Sequence, residues 1–280
     1  MNNIVIYDGH FKLTLRELLA SLAIVFLMIT FGFFIHGKIH DSAMETNERY
    51  MKSPIVTSMD MYDYVKETGV GDVFTIFELK AVEPQTIPEL NGEYLYIEKI
   101  KEKYTMHTRT VTSTDAKGRV STRVETYYTW DYSGSTKTKS NDVVFNGDIY
   151  PFDKFDNYDI TIARLSDVGS EYLDKEYRRI SGQYAYENSK VRYYFKVIPV
   201  EINGSVFITL KDDEIQNRYV TLYSETEPEE LRERLINDSN FSIFIFWFFW
   251  IILTGGLVFG FYVLDNKWLD AQNLSIKVVF

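Results

Sequence analysis

FSIFIFWFFWIILTGGLVFGFYVL, residues 241–264, holds 24 consecutive uncharged residues. At 1.5 Å per residue, a helix of that length covers the ~30 Å hydrocarbon core of a bilayer. Asp265, Lys267 and Trp268 close it, the charged and aromatic boundary that a membrane interface favours. As a helix inside a soluble core it would be a cylinder apolar all round, which soluble folds seldom bury.

A second apolar run, LLASLAIVFLMITFGFFI at residues 18–35, has 18 uncharged residues. Lys12 and Arg16 precede it, and His36, Lys38 and His40 follow. A short basic lead before an apolar run also describes a cleaved signal. The following GFFIHGKIHDSAM lacks a small-residue cleavage site, however, and the run is longer than a signal needs. The reading is therefore a retained span. Two spans put both termini on one side of a membrane and the middle of the chain on the other. Lys38, Arg49, Lys52, Arg232 and Arg234 on the loop side outnumber Lys12 and Arg16, so the expected localisation is a two-span protein of the cell membrane with a cytoplasmic middle domain. Long loops weaken that vote, because they cross largely regardless of charge.

Between the spans the pattern turns to strands. SMDMYDYVKETG at residues 58–69 reads as a short helix capped by Ser58 and stopped at Gly69. VFTIFELKAV, GEYLYIEKIKEKYTMHTRTV and RVSTRVETYYTWDY are dense in Tyr, Thr, Val and Ile, and TSTDAKG between the last two is a hairpin turn. A helix is expected over SEYLDKEYRRISG with Leu173, Tyr177 and Ile180 on one face. A second hairpin is expected in VRYYFKVIPVEINGSVFITLKDD, turning at Asn203-Gly204. Thr226 three residues before Glu229, with Pro228 between them, predicts a capping box that opens a helix leading to the second span. The fold class is α+β, two transmembrane helices flanking a strand-rich soluble domain. In boundaries, this is an N-terminal segment 1–17, span 18–36, helical stalk 37–70, soluble domain 71–226, juxtamembrane helix 227–240, span 241–264 and tail 265–280.

Charge is segregated. The chain carries a formal net charge of -10, yet residues 99–139 hold nine Lys and Arg against four Asp and Glu. Alternation along strands puts Lys99, Lys101, Lys103, His107 and Arg109 on one face and Ile100, Tyr104 and Met106 on the other. On the returning strand Arg119, Arg123 and Tyr127 alternate with Val120, Val124, Tyr128 and Trp130, the latter reading as a core face. Such a stripe is explained by a solvated sheet that discourages edge pairing. It is also explained by an anion site in which Lys99, Lys101, Lys103, Arg109, Arg119 and Arg123 hold phosphates while Tyr127 and Tyr132 stack bases. Anionic lipid headgroups fit the same charge.

Chemistry of other kinds finds little purchase. The chain has no cysteine and four histidines, so thiolate metal sites, disulfides and thiol nucleophiles are excluded. His36 and His40 lie four apart, but two ligands are too few for a metal centre. There is no phosphate-binding glycine loop, HExxH or GxSxG. No cofactor and no enzymatic activity is expected. In the second span Gly256 and Gly260 have the spacing that lets membrane helices approach closely, which points to a homo-oligomer.

FELKAVEPQTIPELNGEYLYIEKIKEKY followed by a charged hairpin and YYTW resembles the GIDE and LUMA type of "beside a membrane" domain, over residues 73–132, with a weaker echo at 191–210. The ligase arm of that family is a cysteine-bearing RING, so ligase activity does not carry over. The resemblance implies a non-catalytic domain at the membrane surface. Its bacterial relatives imply a membrane effector of antiviral defence such as the Hailong-type channel subunit. That would be an ion channel or pore gated by a nucleotide, oligonucleotide or protein partner, with a nucleotidyltransferase as companion. The alternative is a non-catalytic scaffold that organises lipids or partners.

Overall fold

The computed structural model describes residues 4–8 and 11–277, with side-chain surroundings over residues 14–267. The chain is α+β, with two long apolar helices bracketing a domain of antiparallel sheets. The side chains of Lys12 and Trp268, and the last three residues of the tail, lie outside the described part. Two compact units divide the chain: residues 1–53 with 232–280, and residues 54–231.

The first unit is an antiparallel helix pair preceded by a short hairpin, Ile4–Asp8 with Phe11–Thr14. Its first helix, Leu15–Lys52, starts at a capping box. Thr14 Oγ1 accepts from the Glu17 amide at 3.2 Å, and Glu17 Oε2 accepts from the Thr14 amide at 2.6 Å. At 38 residues it reaches about 57 Å, well past a bilayer core. The second helix, Pro228–Lys277, runs 50 residues without a break, so the expected juxtamembrane helix and second span are one rod. Both helices are long and apolar enough to cross a membrane. The expected Thr226 box is replaced by another bond, the hydroxyl donating to the Ser224 carbonyl at 3.1 Å.

The helices meet through aromatic and polar contacts. The Trp250 indole donates to the Met28 carbonyl at 2.9 Å and that of Trp247 to His36 Nδ1 at 3.2 Å. Asn47 donates to Asn240 at 3.1 Å, and Arg16 pairs with Asp265. Gly32 is buried at the crossing. A Cβ there would lie 2.6 Å from Trp250 Nε1, so the glycine is what admits the indole.

In the second unit the helix Met59–Thr68 is capped by Ser58 and stopped by Gly69 at φ 60°. It packs Tyr62 and Val65 into the larger of two apolar cores, beside Val73, Phe77, Leu79, Phe145, Val206 and Ile208. One sheet orders its strands Glu214–Ile215, Glu201–Lys211, Gly71–Ala81, Asp142–Phe145 and Asp148–Pro151. The other orders Arg179–Ser181, Tyr184–Asn188, Val191–Pro199, Tyr94–Thr114 and Val120–Lys139. Ile97, Leu165, Leu173, Phe195 and Val197 gather in the second core.

Two local expectations are corrected. Asn203-Gly204 is no turn: it lies within the strand Glu201–Lys211, while the preceding strand Val191–Pro199 belongs to the other sheet. The glycine answers a close crossing instead, since a Cβ on Gly204 would stand 2.1 Å from the Tyr223 carbonyl oxygen. The helix expected over residues 170–182 ends at Glu176, and Arg179–Ser181 leaves it as an edge strand. Cross-strand bonding to Tyr184–Asn188 outcompetes a marginal helical turn there.

Candidate functional site

The hairpin Tyr94–Thr114 and Val120–Lys139 has strands of 21 and 20 residues, several times an ordinary strand. Its root is sheet: Val191–Pro199 pairs with the ascending strand from Tyr94 to Lys103. Beyond Tyr104, whose amide still donates to the Lys190 carbonyl at 2.9 Å, the two hairpin strands pair, among the described residues, only with each other, down to Thr114 opposite Val120. That free ribbon spans ten further pairs, about 30 Å at strand rise. An Asp115 carboxylate turn closes it, accepting from the Lys117 and Arg119 amides at 2.9 and 3.0 Å, with Gly118 at φ 75°.

The face expected to be core is exposed. Met106 is 60%, Val120 66%, Val124 69% and Tyr128 53% accessible. Strand alternation holds, but among the described residues no second layer covers the distal ribbon, so parity alone does not indicate burial. A two-stranded ribbon is marginal by itself, and cross-strand contacts hold this one. Arg109 grips Glu125 through Nε and Nη2 at 3.0 and 2.9 Å and lies over the Tyr127 ring. His107 bonds Asp131 at 2.6 Å and stacks on Tyr127.

These contacts change the meaning of the basic stripe. Lys99 is half-buried, bonded to Glu89 at 2.6 Å and laid against the Tyr177 and Tyr193 rings. Burial alone would lower its pKa, but Glu89 and Tyr177 outweigh that and hold it up at about 12. Lys101 sits over the Tyr193 ring. Arg119 pairs with Asp115 at 2.8 Å, and Arg123 joins Arg109 on Glu125. Lys137 and Lys139 reach Glu98 and Asp153. Three of the neutralising carboxylates, Glu89, Glu98 and Asp153, come from outside the window that looked basic in sequence. Lys103 is exposed opposite Asp131 in the ladder.

The structure therefore brings Lys99, Lys101, Lys103, Arg109, Arg123 and Tyr127 along one ribbon face, with Arg119 at the tip. Tyr132 falls on the other face. It stands opposite Glu102, after a register shift at Lys101/Glu102 that follows Gly134 at φ 129°. The reason is simple parity, 127 against 132, and the bulge comes too late in the pairing to reverse it.

That other face carries a cluster the sequence reading missed. Tyr104, Tyr128 and Trp130 form a ladder with ring centroids 5.3 and 5.2 Å apart, and Trp130 meets Tyr186 edge-on at 5.8 Å. Arg192 lies 4.4 Å over Trp130 and 3.7 Å over Tyr184, pinned by Glu102 at 2.6 Å. Arg179 lies 4.4 Å over Tyr186. Tyr104, Trp130 and Tyr186, with Arg178 and Arg179, line an open concavity of about 650 Å³ at the hairpin root. The signal in sequence is YRRISGQYAYENSKVRYY, Arg and Tyr interleaved on three successive strands, hidden because its first part, residues 177–182, reads as the end of a helix.

Gly256 and Gly260 sit elsewhere. A Cβ on either would meet no atom within 4 Å, and the same holds for Gly255. They do not pack the two helices of one chain together; that task falls to Gly32. Among the described residues no group of three His, Asp or Glu could hold a metal ion, and His36 accepts from Trp247. Comparison with protein-family models, with characterised proteins and with solved structures finds no match to this chain.

Proposed function

We propose that the chain is one subunit of an oligomeric membrane effector, an ion channel or pore whose strand-rich domain senses an anionic ligand and sets the gate. The observation that carries the reading is the uncovered glycine face of the second helix. Gly255, Gly256 and Gly260 meet nothing from the first helix, and close backbone approach by another copy is what small residues four apart permit. Exposed Phe248, Phe249, Ile252 and Phe259 on the same helix offer further surface to lipid or to neighbours. The setting is a cell membrane with the domain in the cytoplasm, and the role is defence against viruses, as the resemblance to "beside a membrane" effectors implies. A nucleotidyltransferase would supply the ligand.

A second reading, a membrane scaffold without conductance, is favoured by one specific fact. Thr30 and Thr254 donate to the Phe26 and Trp250 carbonyls at 2.9 and 2.8 Å, so these polar side chains of the spans serve their own helices rather than a pore lining. Ion flux in liposomes holding the purified chain separates the two. Flux that responds to an added anionic ligand supports the channel, and absence of flux with and without such ligands leaves the scaffold.

A further inference from the structure

Resting on the reading that the strand-rich domain senses an anion, we propose that the ligand site is the concavity at the hairpin root, and that it takes a nucleoside 5′-phosphate, free or within a short single strand. Three rings, Tyr104, Trp130 and Tyr186, line it together with the exposed guanidinium groups of Arg178 and Arg179. Its volume of about 650 Å³ is in the range of small-molecule sites.

The state of the charges decides the ligand's sign. Arg109, Arg119, Arg123 and Arg192 each have a carboxylate within 4 Å. Among the described residues Arg178 and Arg179 have none. Arg179 is held instead on the Tyr186 ring and beside its hydroxyl, a contact that orients a guanidinium while leaving most of its five N–H groups for an acceptor. Glu102, which shares this face, is committed to Arg192. Burial would raise the Tyr186 phenol, yet Arg192 and Arg179 beside it bring it below the ordinary tyrosine value, as expected where the local potential is positive. A cationic ligand is disfavoured on these grounds, although aromatic cages often take one.

The rings decide the rest. Tyr104 is 40% exposed and rests against Tyr128 on one side, so it can present a flat surface while its own orientation is fixed. Trp130 is braced by Arg192 and Tyr104. A rigid aromatic platform beside unpaired guanidinium groups matches a base joined to a phosphate, since stacking accepts any base and Arg forks bind phosphate oxygens bidentately. Phosphate alone would leave the platform unused, and a nucleoside would leave the arginines unused.

The test is equilibrium binding to the full chain in detergent, read by fluorescence anisotropy. The probes are ethenoadenosine 5′-phosphate, ethenoadenosine and a fluorescein-labelled single strand of about ten nucleotides. Saturable binding of the nucleotide or of the strand supports the proposal, and which of the two binds more tightly identifies the source of the phosphate. Arg178→Gln with Arg179→Gln should weaken binding at least about tenfold, as should Trp130→Leu, while Lys117→Gln at the hairpin tip should leave it unchanged. Unchanged far-UV dichroism confirms that the exposed arginine pair was not holding the fold. The proposal is overturned if neither phosphate-bearing probe saturates, if ethenoadenosine binds as tightly as its 5′-phosphate, or if the arginine variant binds like the parent. Because binding is read without flux, a failed titration removes this site and leaves the channel reading standing. Absent flux with intact binding does the reverse.

Discussion

Gly32 should be the residue on which the helix pair depends, and Gly32→Ala is the smallest perturbation that tests it. The added Cβ would lie 2.6 Å from Trp250 Nε1, 3.1 Å from Trp250 Cδ1 and 3.2 Å from Trp247 Cζ3. The indole of Trp250 cannot swing aside freely, because it donates to Met28 O at 2.9 Å and stacks on Phe246. Displacing it loses an interhelical hydrogen bond, about 0.6 to 1.7 kcal/mol in membrane proteins. Overpacking adds roughly 1 to 3 kcal/mol. Against this stands a gain of up to about 1 kcal/mol in helix propensity. The net expectation is a loss of about 1 to 4 kcal/mol, rising for Gly32→Leu.

The assay is unfolding of the chain from mild detergent by added dodecyl sulfate, followed by tryptophan emission, with Gly256→Ala as the comparison. Gly32→Ala should lower the midpoint; Gly256→Ala should not, since its Cβ meets nothing within the chain. If the two variants behave alike, or only the Gly256 variant shifts, the packing argument is refuted.

Gly256→Leu and Gly260→Leu should instead lower the oligomer measured by native mass in detergent while the helix pair stays intact; an unchanged oligomer would place these glycines against lipid. Gly204→Ala should destabilise the strand-rich domain by about 3 kcal/mol or more, because the Tyr223 backbone has to retreat from a contact of 2.1 Å. A thermal midpoint within a degree or two of the parent would sink that claim. Acid should loosen the hairpin tip. The Arg119 backbone and side chain hold Asp115 below its ordinary value, and the His107 bond does the same for Asp131. Depressed carboxylates stabilise the fold above their unfolded value near 4 and lose that contribution as pH falls through the lower folded values. Amide exchange at residues 105–128, corrected for its intrinsic pH dependence, should accelerate as pH falls below about 4, and Asp131→Asn should flatten the step.

Much of the architecture was legible because its signals are local. The apolar runs, the Ser58 cap, the Gly69 stop and the TSTDAKG turn each need only neighbouring residues, and each appears where the sequence puts it. What failed needed distant partners. Asn203-Gly204 reads as a turn until Tyr223 is known to cross it, and residues 177–182 read as helix until Tyr184–Asn188 offers a ladder. Parity along the ribbon was visible, but its consequence was not, because whether an apolar face is core depends on a second layer. The pairing of the basic stripe was hidden for a similar reason: Glu89, Glu98 and Asp153 lie outside the window they neutralise, and only the folded chain brings them to Lys99, Lys137 and Lys139.

Salt dependence distinguishes the stripe from the hairpin root as the surface that would take an anionic strand. When a protein displaces counterions from a single strand, the logarithm of affinity falls with the logarithm of salt at a slope of about -0.7 for each phosphate neutralised. Were the stripe of Lys99, Lys101, Lys103, Arg109, Arg119 and Arg123 the binding surface, six cations would give a slope of about -4. Cations already held by carboxylates have less to offer a phosphate. Lys99, Arg109, Arg119 and Arg123 are so held, and opposite charges a few ångströms apart largely cancel beyond the ~8 Å screening length. If Arg178 and Arg179 carry the site, two cations give a slope near -1.4, with the remaining affinity coming from stacking and surviving at high salt. Titrating the labelled strand between 50 and 400 mM salt measures this directly. A slope steeper than about -3 would return the ligand to the stripe, whereas a shallow slope that flattens further in the Arg178→Gln, Arg179→Gln variant would fix it at the hairpin root.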